Sequence, residues 1–554
     1  MKKIICIIIC MLLIATTFSV AESLKNNKIN ATFSSLSLNK SIEDWTELQK
    51  LLASDGESLD RFGECVSITN DYALIGAPYV DDYGPWTGYA YMFKRDGNNW
   101  DEQQKLRGSG IVEDDFFGNS VYLNGDTALI GASHDDDNGF DTGSVYVFIR
   151  TGATWTEQAI LYASDSGTGD YFGYSVSIDG DMALIGAPFN DDCGVNSGCA
   201  YVFTRAGSIW TQQAKLVASD GAIQDRFGIS VSLDGDTALI GAYADDVNVN
   251  NSGSAYVFTR TGSIWTQQAK LVASDGGEDD EFGYSVSIDG DTAVIGAFFD
   301  DDNGINSGSA YVFTRTGSTW EQQEKLLPLD GASDDQFGNS VSLEGDMALI
   351  GSHYDDDNGD VSGSAYLFVR SGNDWTQRQK LVASDGEEGD KFGCGVCINQ
   401  YYALIGAKQD DDNGDSAGSA YVFTREFENQ PPEAPIINGQ TNGKVRKEYS
   451  YTFVADDPDA NDVFYYIDWG DGSVEDWFGP YPSNEQIIVK HSWSEQGTYI
   501  IMARAKDTFE EIGDWGTLEV TMPKNKPILY DFPIINSILE RFLNAFPIMS
   551  YIFG

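Results

Sequence analysis

Four short loops carry the same run of acids before an Asn-Gly turn: Asp135-Asp136-Asp137, Asp300-Asp301-Asp302, Asp355-Asp356-Asp357 and Asp410-Asp411-Asp412. Carboxylates crowded in this way raise one another's pKa and are costly unless a cation neutralises them. Ca²⁺ accepts roughly six to eight oxygen ligands in flexible geometry. It is therefore the expected cofactor, with these aspartates as its ligands. A second reading leaves them solvating a turn that Asn-Gly makes. The related run Asp245-Asp246-Val247-Asn248 has lost an acid. Asp275–Glu281 and Asp385–Asp390 add further acids in neighbouring loops.

Little else suggests reaction chemistry. The three histidines, His134, His353 and His491, show no zinc-like spacing with cysteine. None has visible support for a Ser-His-Asp triad. Acid pairs for glycoside hydrolysis abound, yet they recur almost identically, whereas an active site needs residues that break the repetition. The chain is expected to bind rather than catalyse, with an extracellular carbohydrate-active enzyme as the alternative. Tyr83-Gly84-Pro85-Trp86 interrupts the acidic pattern and is a candidate contact point.

The elements that must position these loops repeat with a period of 55 residues, from Phe62-Gly63 to Phe392-Gly393, seven times without a gap. Ile75-Gly76 to Ile405-Gly406, Tyr91 to Tyr421 and Trp45 to Trp375 keep the same step. In the unit from Phe227 to Val272, Phe227–Leu233 alternates as a strand, and Asp234-Gly235 is a hairpin signal of the type I′ kind. Thr237–Ala242, Ser254–Thr259 and Trp265–Leu271 follow as strands. Four antiparallel strands make one propeller blade. The first strand is expected innermost. The Trp-bearing strand first occurs at Trp45–Leu51, and the last repeat stops after Thr424. The N-terminal strand is therefore expected to complete the seventh blade and remove the open edge. The fold class is all-β, a seven-bladed β-propeller over residues 45–425.

The Phe-Gly strand followed by Ile185-Gly186-Ala187-Pro188 resembles the FG-GAP repeat of integrin α subunits and many prokaryotic surface proteins. That resemblance implies a binding or adhesion module. The integrin-type repeat often carries a calcium loop between its first two strands. Here that connection is only Asp179-Gly180 or its equivalents, too short to wrap a cation, so that calcium site does not carry over. Residues 426–435 read as a Pro-rich linker. Residues 436–522 resemble a polycystic-kidney-disease-type (PKD) domain, an immunoglobulin-like β-sandwich. The resemblance rests on Tyr466-Ile467-Asp468-Trp469-Gly470-Asp471-Gly472, His491-Ser492-Trp493 and Gly497–Ile500. It implies a spacer or adhesion module.

Lys2-Lys3, the apolar run from Ile4 to Ala15 and Ser19-Val20-Ala21 form a secretory signal peptide over residues 1–21. Residues 22–44 read as disordered. The apolar tail, 523–554, is expected to associate with a membrane or cell envelope or to dock as a helix. A net charge of −52 argues against nucleic acid as a partner. The expected ligand is an extracellular protein or glycan, and the expected location is outside the cell or on its surface. Cys193 and Cys199 flank one loop as a candidate disulfide. Cys65 and Cys394 or Cys397 would be neighbours where the ring closes, which leaves two alternatives, a bridge across that seam or inner strands too far apart for one.

Overall fold

The computed structural model describes residues 44–247, 249–425, 429–459 and 461–522. The expectations for residues 1–21, for 22–43 and for the tail 523–554 lie outside the described residues. The chain divides into two compact units, Met1–Glu426 and Phe427–Gly554.

The first unit holds seven four-stranded antiparallel sheets, one for each repeat. In the fourth sheet the strands are Val231–Asp234, Thr237–Ala242, Ser254–Thr261 and Ile264–Leu271, paired in that order. The second strand is buried throughout, because sheets pack on both of its faces and every side chain meets an apolar neighbour. Two local expectations change. Phe227-Gly228 lies outside the strand: Gly228 has φ +94°, and a Cβ there would fall 2.3 Å from the Cys199 carbonyl oxygen of the preceding sheet. The turn drives Phe227 edge-on against Tyr256 and Phe258, at 5.4 Å or less for the tyrosine in most sheets and 5.3 Å here. The hairpin also differs. Asp234 pairs with Thr237, so Gly235 and Asp236 are its central residues, and only Gly235 has positive φ. That is the pattern of a type II′ turn, with Gly first, rather than type I′.

Trp45–Leu51 pairs with Ser419–Arg425, so the N-terminal strand completes the seventh sheet. The outer strands are linked at every seam between sheets. Trp100 N donates to Gln49 Oε1 and Gln49 Nε2 donates to the Trp100 carbonyl, both at 2.8 Å. Gln104 repeats this with Trp155, and Gln379 with Trp45. At the other four seams the Trp210, Trp265, Trp320 and Trp375 indoles donate to Gln158, Gln213, Gln268 and Gln323. A central cavity of about 280 Å³ is lined by first-strand residues of all seven repeats, from Glu64 to Val396. The contacts thus run through every sheet and return to the first.

The expected disulfide between Cys193 and Cys199 is absent, and both are free thiols. Cys199 takes the place of a buried serine such as Ser144 or Ser254 and is fully buried in the third sheet, whereas Cys193 is exposed on its loop. Cys65, Cys394 and Cys397 are free as well. Among the described residues no helix is long and apolar enough to cross a membrane.

The second unit is a β-sandwich. One sheet holds Ile436–Gly439, Tyr449–Val454 and Ile487–His491; the other holds Val474–Tyr481, Val463–Asp468, Gly497–Asp507 and Gly516–Met522. Alternation along Tyr449–Val454 buries Tyr449, Tyr451 and Phe453 on one face. They pack with Tyr465, Trp469, Trp493 and Ile501 from the rest of the sandwich. His491 stacks on Trp469 at 4.4 Å and contacts Asp471 at 2.9 Å.

Candidate functional site

The acidic loops are organised around a cation that the chain itself supplies. Lys325, in the fourth strand of the fifth sheet, places its Nζ 3.0 Å from Asp275, 2.8 Å from Asp300 and against Asp302. Lys380 does the same with Asp330, Asp355 and Asp357, and Lys50 with Asp385, Asp410 and Asp412. The first aspartate of each run is buried, and one of its oxygens caps the amide two residues on, as in Asp302 N to Asp300 Oδ1 at 2.9 Å. A tyrosine hydroxyl donates to its other oxygen, Tyr311 to Asp300 at 2.7 Å. In the fifth sheet the middle aspartate also binds backbone, Asn306 N donating to Asp301 at 2.7 Å. In each of these three loops the first and third aspartates of the run share one lysine ammonium.

The second sheet departs from this arrangement. Ile160 stands where the others carry lysine, and Gly110 stands where they carry the loop aspartate. Asp135 is left with Ser144 and Tyr146 hydroxyls, and Asp137 with the Tyr162 hydroxyl at 3.3 Å. Burial first, and then the Asp137 charge, pushes the Asp135 carboxyl above its ordinary range. This is the one predicted triplet whose oxygens have no internal cation among the described residues.

A further ring of carboxylates was not foreseen. Each loop leading into a sheet buries an aspartate that accepts the amide three residues before it, as Ala332 N to Asp335 Oδ2 at 2.6 Å. Burial, reinforced by the acids of the next loop, raises Asp60, Asp225, Asp280, Asp335 and Asp390 to about 6 and Asp115 to about 7. The outer aspartates behave oppositely. Burial pushes Asp55, Asp165, Asp220, Asp275, Asp330 and Asp385 upward, but their lysine and tyrosine partners outweigh it and hold them below the ordinary range.

These opposed shifts set a pH dependence. A buried aspartate raised above its unfolded value of about 4 keeps its proton while the unfolded chain has lost it, so stability falls as pH climbs from about 4 to about 7. The lysine-paired aspartates contribute stability above about pH 4 that is lost as pH drops through their lowered folded values. The melting temperature is therefore expected to rise from pH 7 to about pH 5 and to decline below about pH 4. Scanning calorimetry across pH 3–8 checks this, and a steady decline from pH 7 downward would contradict the buried ring.

The repeats stop being alike around the channel mouth. The residue before each Phe-Gly is Arg61, Phe116, Tyr171, Arg226, Glu281, Gln336 or Lys391. The second residue after each Ile-Gly-Ala or Ile-Gly-Ser is Tyr79, His134, Phe189, Ala244, Phe299, Tyr354 or Gln409. Their side chains interleave. Arg61 lies 4.2 Å over Tyr79, which meets Phe116 at 5.2 Å; Phe116 meets His134 at 4.5 Å. The series continues through Tyr171 and Phe189 to Arg226, 5.2 Å from both Phe189 and Tyr243. A side cavity of about 330 Å³ opens here between the first two sheets and shares Glu64, Asn119 and Tyr174 with the central channel. Farther out on the connecting loops, Tyr83 is 69% exposed, Trp86 49% and Phe140 68%.

Sequence reasoning found Tyr83 and Trp86 but missed the lysines and this collar. A signal existed for both. Lysine recurs at the 55-residue step from Lys50 to Lys380 and fails only at Ile160, the repeat that also has Gly110. The collar occupies positions flanking the invariant Phe-Gly and Ile-Gly pairs where residue type is free.

A family model described as FG-GAP repeat matches residues 45–93, 100–148, 155–203, 210–258, 265–313, 320–368 and 375–423. No curated protein matches the chain. Among solved structures, the PKD domain of an M14-like peptidase from Thermoplasmatales archaeon SCGC AB-540-F20 is similar at 50% identity, over 18% of this chain and 100% of that one, with a TM-score of 0.17. The PKD domain of the human VPS10 domain-containing receptor SorCS2 is similar at 19% identity, over 18% and 81%, with a TM-score of 0.14.

Proposed function

The chain belongs to the FG-GAP repeat family, and from that premise we propose a secreted or cell-surface adhesion or scaffold protein that docks an extracellular protein or glycan on the acid-rich face of its propeller. The observation that carries this reading is the collapse of repeat symmetry at one place. Fold-determining residues recur in all seven repeats, while the aromatic and charged residues that differ converge on the channel mouth and its loops. Binding calls for such singular features, and it does not require catalytic groups. Residues 436–522 serve as a PKD-type spacer, residues 1–21 direct export, and the apolar tail 523–554 associates with a membrane or cell envelope.

Binding of the full chain to cell-envelope fractions and to a glycan array tests the reading. The variant Tyr83→Ser/Trp86→Ser/Phe140→Ser removes two well-exposed rings and the half-exposed Trp86, which packs on Tyr79 and Phe116, so only a small drop in melting temperature is expected. Its binding should fall at least tenfold. Equal binding by parent and variant would overturn the docking face, and hydrolysis of an arrayed polymer would overturn the non-catalytic reading.

Calcium belongs, in this reading, at Asp135, Asp136 and Asp137, where no lysine intervenes. A bound ion stabilises by RT ln(1 + [L]/Kd), about 2.7 kcal/mol at a hundredfold excess over Kd. Screening alone is exhausted near 1 M NaCl, where the Debye length is about 3 Å. Calcium stabilisation should thus persist in 1 M NaCl, vanish in Asp135→Asn/Asp137→Asn, and survive Asp301→Asn. Identical melting with calcium and with chelator in high salt would remove calcium from the proposal.

A further inference from the structure

The side cavity of about 330 Å³ between the first and second sheets has a composition that selects its guest. Four rings wall it: Tyr79, Phe116, His134 and Tyr174. The faces of such rings are electron-rich and attract C–H groups that carry partial positive charge. Glu64 supplies the polar element. Its Oε1 accepts from Lys408 Nζ at 2.7 Å, and the Arg61 guanidinium stands 4.0 Å from Oε2. Two cations already balance this carboxylate, so the site has no need of a third and would repel one. Oε2 nevertheless remains buried without a hydrogen-bond donor, and buried polar atoms are rarely left so. A neutral hydroxyl would satisfy it. His134 adds no charge, because burial holds its pKa below the ordinary value, and its Nδ1 is engaged with the Ser133 hydroxyl at 3.0 Å.

Apolar faces, a neutral donor and a volume at the small end of ligand pockets, which span about 300–1,000 Å³, describe a sugar ring. We propose that this cavity binds a single neutral pyranose, the terminal unit of an extracellular glycan, held among these rings with a hydroxyl donating to Glu64 Oε2. The proposal rests on the reading that the propeller docks its ligand on this face, and it names the chemistry of that ligand.

Saturation-transfer NMR on the full chain is the test, with neutral methyl pyranosides (glucoside, galactoside, mannoside and N-acetylglucosaminide) and arginine methyl ester as the cationic control, each in 50 mM and 1 M NaCl. Transfer to ring C–H protons of at least one pyranoside is expected, unchanged by salt and greater than transfer to the arginine ester. Phe116→Gln and Tyr79→Ala should each weaken that binding at least tenfold. Both variants keep the fold, because the equivalent positions in other repeats are Gln336 and Ala244. Silence from every pyranoside, preference for the arginine ester, or unchanged binding in Phe116→Gln would overturn the proposal. If pyranosides are silent while envelope binding still depends on Tyr83, Trp86 and Phe140, the sugar site falls and the docking face stands. If both are silent, both fall.

Discussion

Replacing Lys325 with methionine is expected to destabilise the propeller by about 3 kcal/mol, although the substitution keeps the length of the side chain. Breaking a buried ion pair from one side costs about 3–5 kcal/mol because it strands the partner charge. The lower end applies. Asp300 is 2% exposed, while Asp275 and Asp302 are 41% and 59% exposed and relax into water at little cost. Adding Asp300→Asn to Lys325→Met should recover much of the loss, since the stranded charge is then gone. The second sheet already pairs a missing lysine, Ile160, with a missing acid, Gly110. Calcium should stabilise the Lys325→Met protein more than the parent, because the vacated place is ringed by carboxylates. Thermal and urea unfolding of the single and double variants, with and without calcium, decide the matter. A single variant as stable as the parent would show that the loops do not depend on their internal cation.

A larger loss is expected on deleting residues 44–51. Trp45 and Leu51 are 2% and 1% exposed in the core of the seventh sheet. Truncating buried groups of these types costs about 3–5 and 2–5 kcal/mol respectively. Lys50 would leave Asp410 uncompensated, and the Gln379–Trp45 and Gln49–Trp100 links would break. The sum rivals the whole stability of an ordinary domain, about 5–15 kcal/mol. The bared edge of Ser419–Arg425 would then invite pairing between molecules. Size-exclusion chromatography should show aggregation, and limited proteolysis should open the chain. A truncated protein that stays monomeric and melts like the parent would refute the role of the N-terminal strand in holding the propeller together.

The repeat was legible because each unit buries the same positions, and the step of 55 from Phe62 to Phe392 is the imprint of that shared environment. Strand existence followed from alternation, as at Thr237–Ala242. What alternation does not reveal is backbone handedness. Phe227-Gly228 reads as strand by pattern, yet the glycine stands at φ +94°, and its recurrence in every repeat was the sign of a turn that a Cβ would obstruct. The acidic runs were found and their partner was not. Asp300 and Lys325 lie 25 positions apart on elements that meet only after the sheet forms, so the lysine among these acids is not visible in their crowding. The collar was hidden for the opposite reason, since no single repeat contains it. Arg61, Phe116, Tyr171 and Arg226 are unremarkable one at a time and become a surface only when the sheets stand side by side.

The pairing of Trp45 with Arg425 has one more consequence. Arg315 and Trp320 face each other in the same register and are joined there by a short turn. At this edge the seventh sheet lacks the covalent bridge that the fifth has between the same register positions. The outer hairpins that join third and fourth strands, such as the one at Gly317-Ser318, are therefore the places where a cut would match the chain's own break. A circularly permuted chain, closed between Arg425 and Trp45 by a turn like Thr316–Thr319 and opened at another outer hairpin, would present the same mouth and the same collar from a different pair of ends.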